Sequence, residues 1–545
     1  MTIENNLETQ SQWWKILEKR LLDSKNRNKH RYREEFYPDR IVEPTKRTME
    51  FLRVVKGLVD QTELDETKKT ELAERLFDLV VYNCYGRVFP VPNTAGDFVG
   101  VPDMELEKGD DYQKFQNCIT LIKLKKDGRI GTAGGFNDIG ESPAKTVGRE
   151  ALEEEFEEGS EGAKNCVWFG ERSDKKRDER FEVMSMCGAG CVDPDQLKAG
   201  DDAGEVMVVK LINDDGSLNQ ELFTGNQVFD VKKGQIVAHN GFRADHQDII
   251  KDFYHYWEVH GKEQGLSLDQ MLKKMKYTVP QEWFQNYECH PEGFDKYEFE
   301  EIDGKKMMLT PNIKFGMEQA QKILKEYGVS KDNKMAKKFI KNSQGVDMIP
   351  LFPQAAVTFD CVIFRGDKLV VHKFKNAEGQ EVYSLPGSFY SPERNDEGLD
   401  NIRLAAARAI QGKYGGRFDP KRFLGAVGGK DVLGELADKR YPRNSFIWAG
   451  KMDEVMEVAS LQGPCLPQGS EIVEIDIWKD KQNRILSDEI LKMPWAYYHS
   501  EEIIQTLVKR LLDTLDPGGQ MTAEELLEKY KLERPVEAKT TGKIL

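Results

Sequence analysis

The segment from Gly135 to Glu158 constrains this chain more than any other, because it joins a glycine turn to a run of strong helix formers. On an α-helix, positions i, i+3 and i+4 lie on one face, so Glu150, Glu153 and Glu154 would present three carboxylates together. Small and apolar residues form the other side, which can pack against a sheet. The segment therefore predicts a helix with one buried face and one acidic face.

Three carboxylates on one face repel one another and would gain from a bound cation. Oxygen ligands suit Mg²⁺ or Mn²⁺, which keep part of their water shell and bridge to phosphates. Arg149 can pair with Glu153 and hold its rotamer. The glutamates alone favour a solvated helix that binds nothing. The spacing of Glu141 and Arg149, and the pair Gly134 and Gly135, where the backbone can approach a bound cofactor, favour the cation site.

At these residues the sequence resembles the Nudix hydrolase family. The family motif is Gly, five residues, Glu, seven residues, Arg-Glu, an aliphatic residue, any residue, Glu-Glu, any residue, Gly and an aliphatic residue. The positions that match are Gly135, Glu141, Arg149, Glu150, Ala151, Glu153 and Glu154. Phe156 replaces the motif glycine and Glu157 the last aliphatic residue. This departure predicts a longer helix, reaching Glu158, with the metal ligands intact.

The resemblance implies an α/β/α sandwich around a mixed sheet. It implies that Glu150, Glu153 and Glu154 bind divalent metal ions, that Glu141 supports the site, and that Arg149 belongs to the catalytic group. The expected cofactor is Mg²⁺ or Mn²⁺.

Two later segments resemble parts of ADP-ribose pyrophosphatase-type members of the family. Asp201, Asp202 and Glu205 could include a general base or a further ligand, although an acidic turn before a strand is the preferred interpretation. His246 is expected to cap or pack rather than to catalyse.

A second α/β pattern follows the first in the same order: strands, a glycine turn, a helix and a closing helix. The separation of Gly135 from Ile249 nearly matches that of Gly387 from Ile503. Two copies of one fold is the simplest account, and two unrelated α/β domains with a similar rhythm is the alternative.

The second pattern keeps Arg408 but lacks the carboxylates, since Ala409, Gly412 and Lys413 stand at the expected ligand positions. It resembles the noncatalytic Nudix-like modules that sense ligands. A purely structural or dimerising role is equally open, because a fold does not fix a function.

The length of 545 residues predicts two or more cores. The fold class is α/β, with two Nudix-type sandwiches and helical N-terminal and connecting segments. The expected boundaries are a helical segment at 1–80, a catalytic domain at 81–260, a helical connector at 261–345, a degenerate Nudix-like domain at 346–515 and a tail at 516–545.

Composition indicates which partners and which cellular compartment are expected for the protein. A net charge of −15 argues against nucleic-acid binding, and no apolar run is long enough for a membrane span. The N-terminus lacks a secretory pattern, and eight scattered cysteines suit a reducing compartment, so a cytoplasmic location is expected. Cys187 and Cys191 are predicted to be buried strand cysteines rather than zinc ligands.

The sequence thus favours a metal-dependent hydrolase that cleaves the pyrophosphate of a small nucleoside diphosphate derivative, with ADP-ribose or a dinucleotide such as NADH preferred. The alternatives are a nucleotide-binding regulator without turnover and an assembly protein that uses both folds as scaffolds. A homodimer is possible as the assembled state.

Overall fold

The fold divides into two compact units. The structure is a computed structural model that describes residues 54–85, 93–106, 110–137, 141–157, 160–173, 183–200, 203–285, 299–302, 305–308, 321–330, 333, 336, 356–375, 379–389, 402–403, 405–407, 410, 417–428, 443–453, 470–496 and 499–532. The smaller unit comprises Met1–Val91, Glu292–Pro353 and Ser391–Gly398. The larger unit has a first half, Pro92–Pro291, and a second half, Gln354–Tyr390 with Leu399–Leu545.

The strands fall into three groups along the chain. The first half contains β1 (Asn93–Pro102), β2 (Cys118–Leu124), β3 (Ile130–Gly131), β4 (Ala133–Phe136), β5 (Lys164–Arg172), β6 (Val183–Val192), β7 (Ala203–Lys210), β8 (Gln227–Asp230) and β9 (Gln235–Ala238). The smaller unit contains β10 (Phe299–Ile302) and β11 (Lys305–Met308). The second half contains β12 (Ala356–Arg365), β13 (Lys368–Lys375), β14 (Glu381–Ser384), β15 (Gly387–Phe389), β16 (Arg417–Gly428), β17 (Arg443–Asp453), β18 (Glu471–Asp476), β19 (Trp478–Asp480) and β20 (Ile485–Leu486).

Helices cover the sheets and connect the strands. The described α-helices include α1 (Glu66–Tyr85), α2 (Pro143–Glu155), α3 (His246–His260), α4 (Leu268–Met275), α5 (Asp488–Lys492), α6 (Lys509–Leu515) and α7 (Ala523–Lys529). A π-helical segment, His499–Val508, runs directly into α6. Short 3₁₀ turns occupy Asp110–Phe115, Pro194–Gln196, Gln220–Phe223, Lys262–Gln264, Lys276–Thr278 and Gln281–Trp283. No helix in the described ranges is long and apolar enough to cross a membrane.

The first half is built on a mixed sheet. Its strand order is β4-β1-β6-β5, with β1 and β6 parallel and the outer pairs antiparallel. A second sheet has the order β3-β2-β7. The predicted mixed α/β fold class is therefore confirmed. Cys187 and Cys191 are buried in β6, which confirms their prediction as strand cysteines.

The core of the first half extends past the expected boundary at residue 260. Leu268, Met271, Leu272 and Met275 of α4 belong to the same buried cluster as the sheet residues. They recur at helical spacing, so one side of α4 is apolar and packs on the core. The interval predicted as a helical connector also contains the hairpin of β10 and β11 in the smaller unit, so it is not helical throughout. An Asp-Gly dipeptide separates those two strands in the sequence, and such dipeptides favour hairpins.

The second half has a mixed sheet with the same neighbour relations. Its strand β12 is parallel to β17 and antiparallel to β15, as β1 is to β6 and β4. Asp360 lies opposite Gly387, and Asp97 lies opposite Gly134, so the register matches Gly387 with Gly134 rather than with Gly135. The origin of the two halves as copies of one fold stays a prediction.

A buried histidine joins α3 to the second half and to the expected C-terminal tail, which contains α7. The Arg422 guanidinium donates a hydrogen bond to His260 Nε2 at 2.8 Å, and the Tyr530 ring stacks on the His260 ring. Burial, followed by the nearby charge of Arg422, holds the pKa of His260 well below its ordinary value of 6.5. The folded protein therefore keeps this imidazole neutral.

We predict that this histidine makes the fold less stable in mild acid. Below pH 6.5 the unfolded chain protonates His260 and the folded chain does not, so stability falls by at most about 1.4 kcal/mol per pH unit. Thermal unfolding between pH 7.5 and 5.5 should show a smaller fall for His260→Gln than for wild type. His255→Gln, on the same helix, serves as the control. An unchanged pH dependence in His260→Gln would contradict the assignment.

Candidate active site

Local sequence sets the start of the predicted helix. Ser142 is its N-cap, and the Ser142 hydroxyl oxygen accepts a hydrogen bond from the Lys145 N–H at 3.3 Å. Pro143 occupies the first turn, where a missing N–H costs nothing and a fixed φ favours the helix. The helix α2 therefore begins directly after the loop that carries Glu141.

The helix ends at Glu155, so the prediction that it continues to Glu158 is wrong. Phe156 has an extended backbone, with φ of −117°, and is buried. Its backbone pairs with Leu197, and the Lys198 N–H donates to the Glu155 carbonyl at 2.8 Å. Burial of the Phe156 ring and these hydrogen bonds replace the next helical turn.

Two glycines let α2 lie close to the sheet. A Cβ atom at Gly96 in β1 would stand 2.8 Å from Val147 Cγ2, and one at Gly188 in β6 would stand 2.7 Å from Val147 Cγ1. Both distances are shorter than any tolerable carbon contact. Glycine at these positions therefore brings the carboxylates of α2 next to β4.

Arg149 is the centre of an ion-pair network. Its Nε donates to Glu141 Oε1 at 2.9 Å, and its Nη1 lies 2.8 Å from Glu153 Oε2 and 2.7 Å from Glu150 Oε1. Its Nη2 donates to the Phe136 carbonyl at 2.9 Å. The predicted pair of Arg149 with Glu153 is present. One guanidinium thus connects three carboxylates to the end of β4.

Glu150 is buried against β4. A side chain at Gly135 would overlap its carboxyl group, so glycine leaves the space that Glu150 fills. Burial raises the pKa of Glu150 to about 8, Arg149 opposes the rise, and the charge of Glu154 adds to it. The pKa indicates that the carboxylate lacks enough compensating positive charge.

Glu154 also faces β4. Its Oε2 accepts a hydrogen bond from the Gly134 N–H at 2.7 Å. Burial raises its pKa to about 8, and the bond from Gly134 and the charge of Arg243 oppose the rise. A Cβ at Gly134 would overlap the Asp97 carboxylate. Gly134 and Gly135 thus make room for side chains of the chain itself, and their role toward a cofactor stays a prediction.

Glu155 is a buried acid that the motif did not indicate. The Thr120 hydroxyl donates to its carboxylate, with oxygen distances of 2.9 and 2.8 Å, and burial raises its pKa to about 8. The available signal was spacing: Val147, Ala151 and Glu155 recur every four residues, which places Glu155 on the apolar side of α2.

The remaining candidates lie elsewhere or outside the described residues. Glu205 lies within β7 rather than in a turn before the strand, and it pairs with Lys233 at 2.6 Å. His246 is buried at the start of α3, where its Nδ1 accepts the Thr132 N–H at 3.1 Å, in agreement with a packing role. Outside the described residues lie Asp201, Asp202, Arg408, Ala409, Gly412 and Lys413.

The carboxylate oxygens of α2 are ligands of the type that a hard divalent cation prefers. They are not arranged around a single position that a cation could occupy. Among the described residues no group of three His, Cys, Asp or Glu side chains is arranged to hold a metal. Glu150 and Glu153 both contact Arg149, whereas the raised pKa values belong to the buried neighbours Glu150 and Glu154. Mg²⁺ commonly takes only one or two carboxylates together with water and phosphate oxygens. Glu150 and Glu154 are the pair that fits.

Parts of this chain are similar in fold to solved structures. No protein-family model and no curated protein matches the chain. A MutT/nudix family protein from Enterococcus faecalis is 20% identical with a TM-score of 0.24, over 39% of this chain and 83% of its own. The NUDIX domain of Shewanella oneidensis NrtR, solved with ADP ribose, is 17% identical with a TM-score of 0.22, over 30% of this chain and 88% of its own.

A further solved structure is a bifunctional NMN adenylyltransferase/ADP ribose pyrophosphatase from Francisella tularensis, complexed with AMP and a Mn ion. It is 15% identical with a TM-score of 0.20, over 38% of this chain and 59% of its own. The solved structures similar to parts of this chain are Nudix and MutT proteins.

We predict that Glu154→Gln stabilises the metal-free protein in alkali. The folded pKa of Glu154 is about 8 and the unfolded value is 4.5, so its ionisation makes the wild-type fold progressively less stable as pH rises from 4.5 to 8. A neutral glutamine removes this loss. With chelator at pH 8, the variant should melt several degrees above wild type, and the gap should shrink toward pH 5.

The exposed Glu161→Gln is the matched control and should melt like wild type. Excess Mg²⁺ at pH 8 should raise the melting temperature of wild type more than that of Glu154→Gln. If the melting temperature of Glu154→Gln in chelator at pH 8 is equal to or below that of wild type, the raised pKa of Glu154 is contradicted.

Proposed function

We propose that the first half hydrolyses the pyrophosphate of a small nucleoside diphosphate derivative, with ADP-ribose or an NADH-type dinucleotide favoured, in the presence of Mg²⁺ or Mn²⁺. The observation that carries the proposal is the pair Glu150 and Glu154, buried side by side against the glycine strand β4 at the spacing of the motif. A reducing, cytoplasmic setting is part of the proposal, supported by the thiols of Cys118, Cys166 and Cys191, which form no disulfide.

Glu150 and Glu154 would hold the divalent cation. A bound cation would neutralise pyrophosphate charge and lower the pKa of a coordinated water. Because burial raises the pKa of both carboxyls, cation binding below pH 8 would displace protons from them. A bound cation would therefore stabilise the ionised form of both carboxyl groups.

Arg149 and Glu141 would position the remaining groups. Arg149 fixes the carboxylate of Glu153, whose side chain is 25% exposed and so lies nearest to arriving water. Glu153 would take the proton of the attacking water. The oxygen of that water would bond to one phosphorus as the bridging P–O bond breaks, and two phosphate monoesters would leave.

A regulator that binds nucleotides without turnover is the second candidate. The ion pairs of Arg149 favour it, since this guanidinium contacts Glu141, Glu150 and Glu153 and so offsets part of their charge. Binding of ADP-ribose with no product in Mg²⁺ or Mn²⁺ would select this candidate.

We predict that Glu153→Gln and Glu154→Gln each lower turnover by several orders of magnitude, since they remove charge at nearly constant shape. Initial rates with ADP-ribose and with NADH test this, and a melting curve of each variant shows whether it is folded. Glu161→Gln should retain the wild-type rate. Wild-type turnover by Glu154→Gln in a folded protein would remove Glu154 from the mechanism.

We also predict that turnover needs an added divalent cation. Exhaustive treatment with a chelator should abolish hydrolysis, and Mg²⁺ or Mn²⁺ should restore it, because the buried carboxylates are not themselves able to neutralise a pyrophosphate. Full activity of the metal-free protein would refute the metal-dependent mechanism.

A further inference from the structure

We infer that the second half supplies a positioning residue, Asn444, to the candidate active site of the first half. Asn444 lies near the start of β17 and is fully buried. Its Nδ2 donates a hydrogen bond to Asn137 Oδ1 at 2.8 Å and lies 3.5 Å from Thr94 Oγ1. Both acceptors belong to the first half.

Asn137 closes the loop that carries Glu141. It directly follows β4, and its N–H donates to the Thr94 carbonyl at 2.9 Å. Its Nδ2 donates to the Glu141 carbonyl at 3.0 Å, so one side chain connects the two ends of the loop. Asn444 fixes the amide of Asn137 in the orientation that makes this second bond possible.

The connection continues to the carboxylates. The Glu141 carboxylate accepts from Arg149 Nε at 2.9 Å, and Arg149 contacts Glu153 and Glu150. A hydrogen-bonded series thus runs from Asn444 through Asn137 and Glu141 to Arg149. Since buried amide bonds are costly to leave unmade, the series holds Asn137, Glu141 and Arg149 in one arrangement.

The packing between the halves keeps Asn444 in place. The Trp168 ring of the first half lies 6.3 Å from the Phe423 ring of the second half. A Cβ at Gly425 would stand 2.5 Å from Trp168, so only glycine permits this approach. The sequence of the second half lacks the motif carboxylates. Its contribution is Asn444, which helps to position the candidate active site of the first half.

The inference rests on the proposed function for its kinetic consequence. In the full chain, Asn444→Ala should lower kcat about tenfold with KM changed less than about twofold, because it misplaces Glu141 and Arg149 without touching substrate. Asn137→Ala should act similarly, and the double variant should be no slower than Asn137→Ala alone. Additive losses would overturn the series.

Ser173→Ala is the matched control. The Ser173 hydroxyl oxygen accepts the Ile402 N–H at 2.8 Å, which is another buried hydrogen bond between the halves, but it has no described bond to the loop of Glu141. This variant should keep the wild-type kcat. If Asn444→Ala does not fold by thermal melting, Asn444→Ser, which keeps a short polar side chain, replaces it.

A measurement without substrate separates this inference from the proposed function. Amide hydrogen exchange of the peptide that spans residues 137–149 should speed up in Asn444→Ala and not in Ser173→Ala. Faster exchange in a protein that hydrolyses no nucleoside diphosphate derivative would support the positioning role and reject the proposed function. Wild-type exchange and wild-type kcat in a folded Asn444→Ala would overturn the inference.

Discussion

The close approach of α2 to the mixed sheet is the constraint on which the candidate site depends. Gly96 and Gly188 allow Val147 to sit almost on the backbone of the sheet. Gly134 and Gly135 then leave room in β4 for the carboxyl groups of Glu154 and Glu150. Alanine at any of these positions would push the helix or a carboxylate outward. Four glycines therefore determine the depth at which the acids are buried.

Burial changes the pKa of the carboxyl groups of Glu150 and Glu154. A solvated acidic helix face would keep ordinary pKa values, because water stabilises its charges. Here burial raises the pKa of Glu150 and of Glu154 to about 8, and Arg149 supplies only part of the missing charge. This helix face is therefore buried rather than solvated, and a cation site on it stays a proposal. Glu153 differs from both, because it is the more exposed partner of Arg149.

The sequence predicted an acidic helix face and the ion pair of Arg149 with Glu153, because both depend on short-range spacing. It did not predict that the helix begins at Pro143 after the N-cap Ser142. It failed at Phe156, where burial against Leu197 ends the helix. Such a long-range contact leaves no mark in local periodicity.

The role of the second half could not be predicted for the same reason. Asn444 lies far from Asn137 in the sequence, and only the packing of β16 and β17 against the first half brings their amides together. The sequence of the second half lacks the motif carboxylates, and this absence left its role open. The register of the two sheets, in which Gly387 corresponds to Gly134, also required hydrogen-bond pairing that spacing alone does not give.

The central claim is that the first half cleaves a pyrophosphate bond. The most direct test incubates the purified full chain and Mg²⁺ or Mn²⁺ in ¹⁸O-labelled water with ADP-ribose, NADH, dinucleoside polyphosphates, nucleotide sugars and deoxynucleoside triphosphates, and resolves the products by mass. The account predicts two phosphate monoesters from ADP-ribose or NADH, with one ¹⁸O atom in one of them. Absence of cleavage of every nucleoside diphosphate derivative, by a folded protein with metal present, would contradict it.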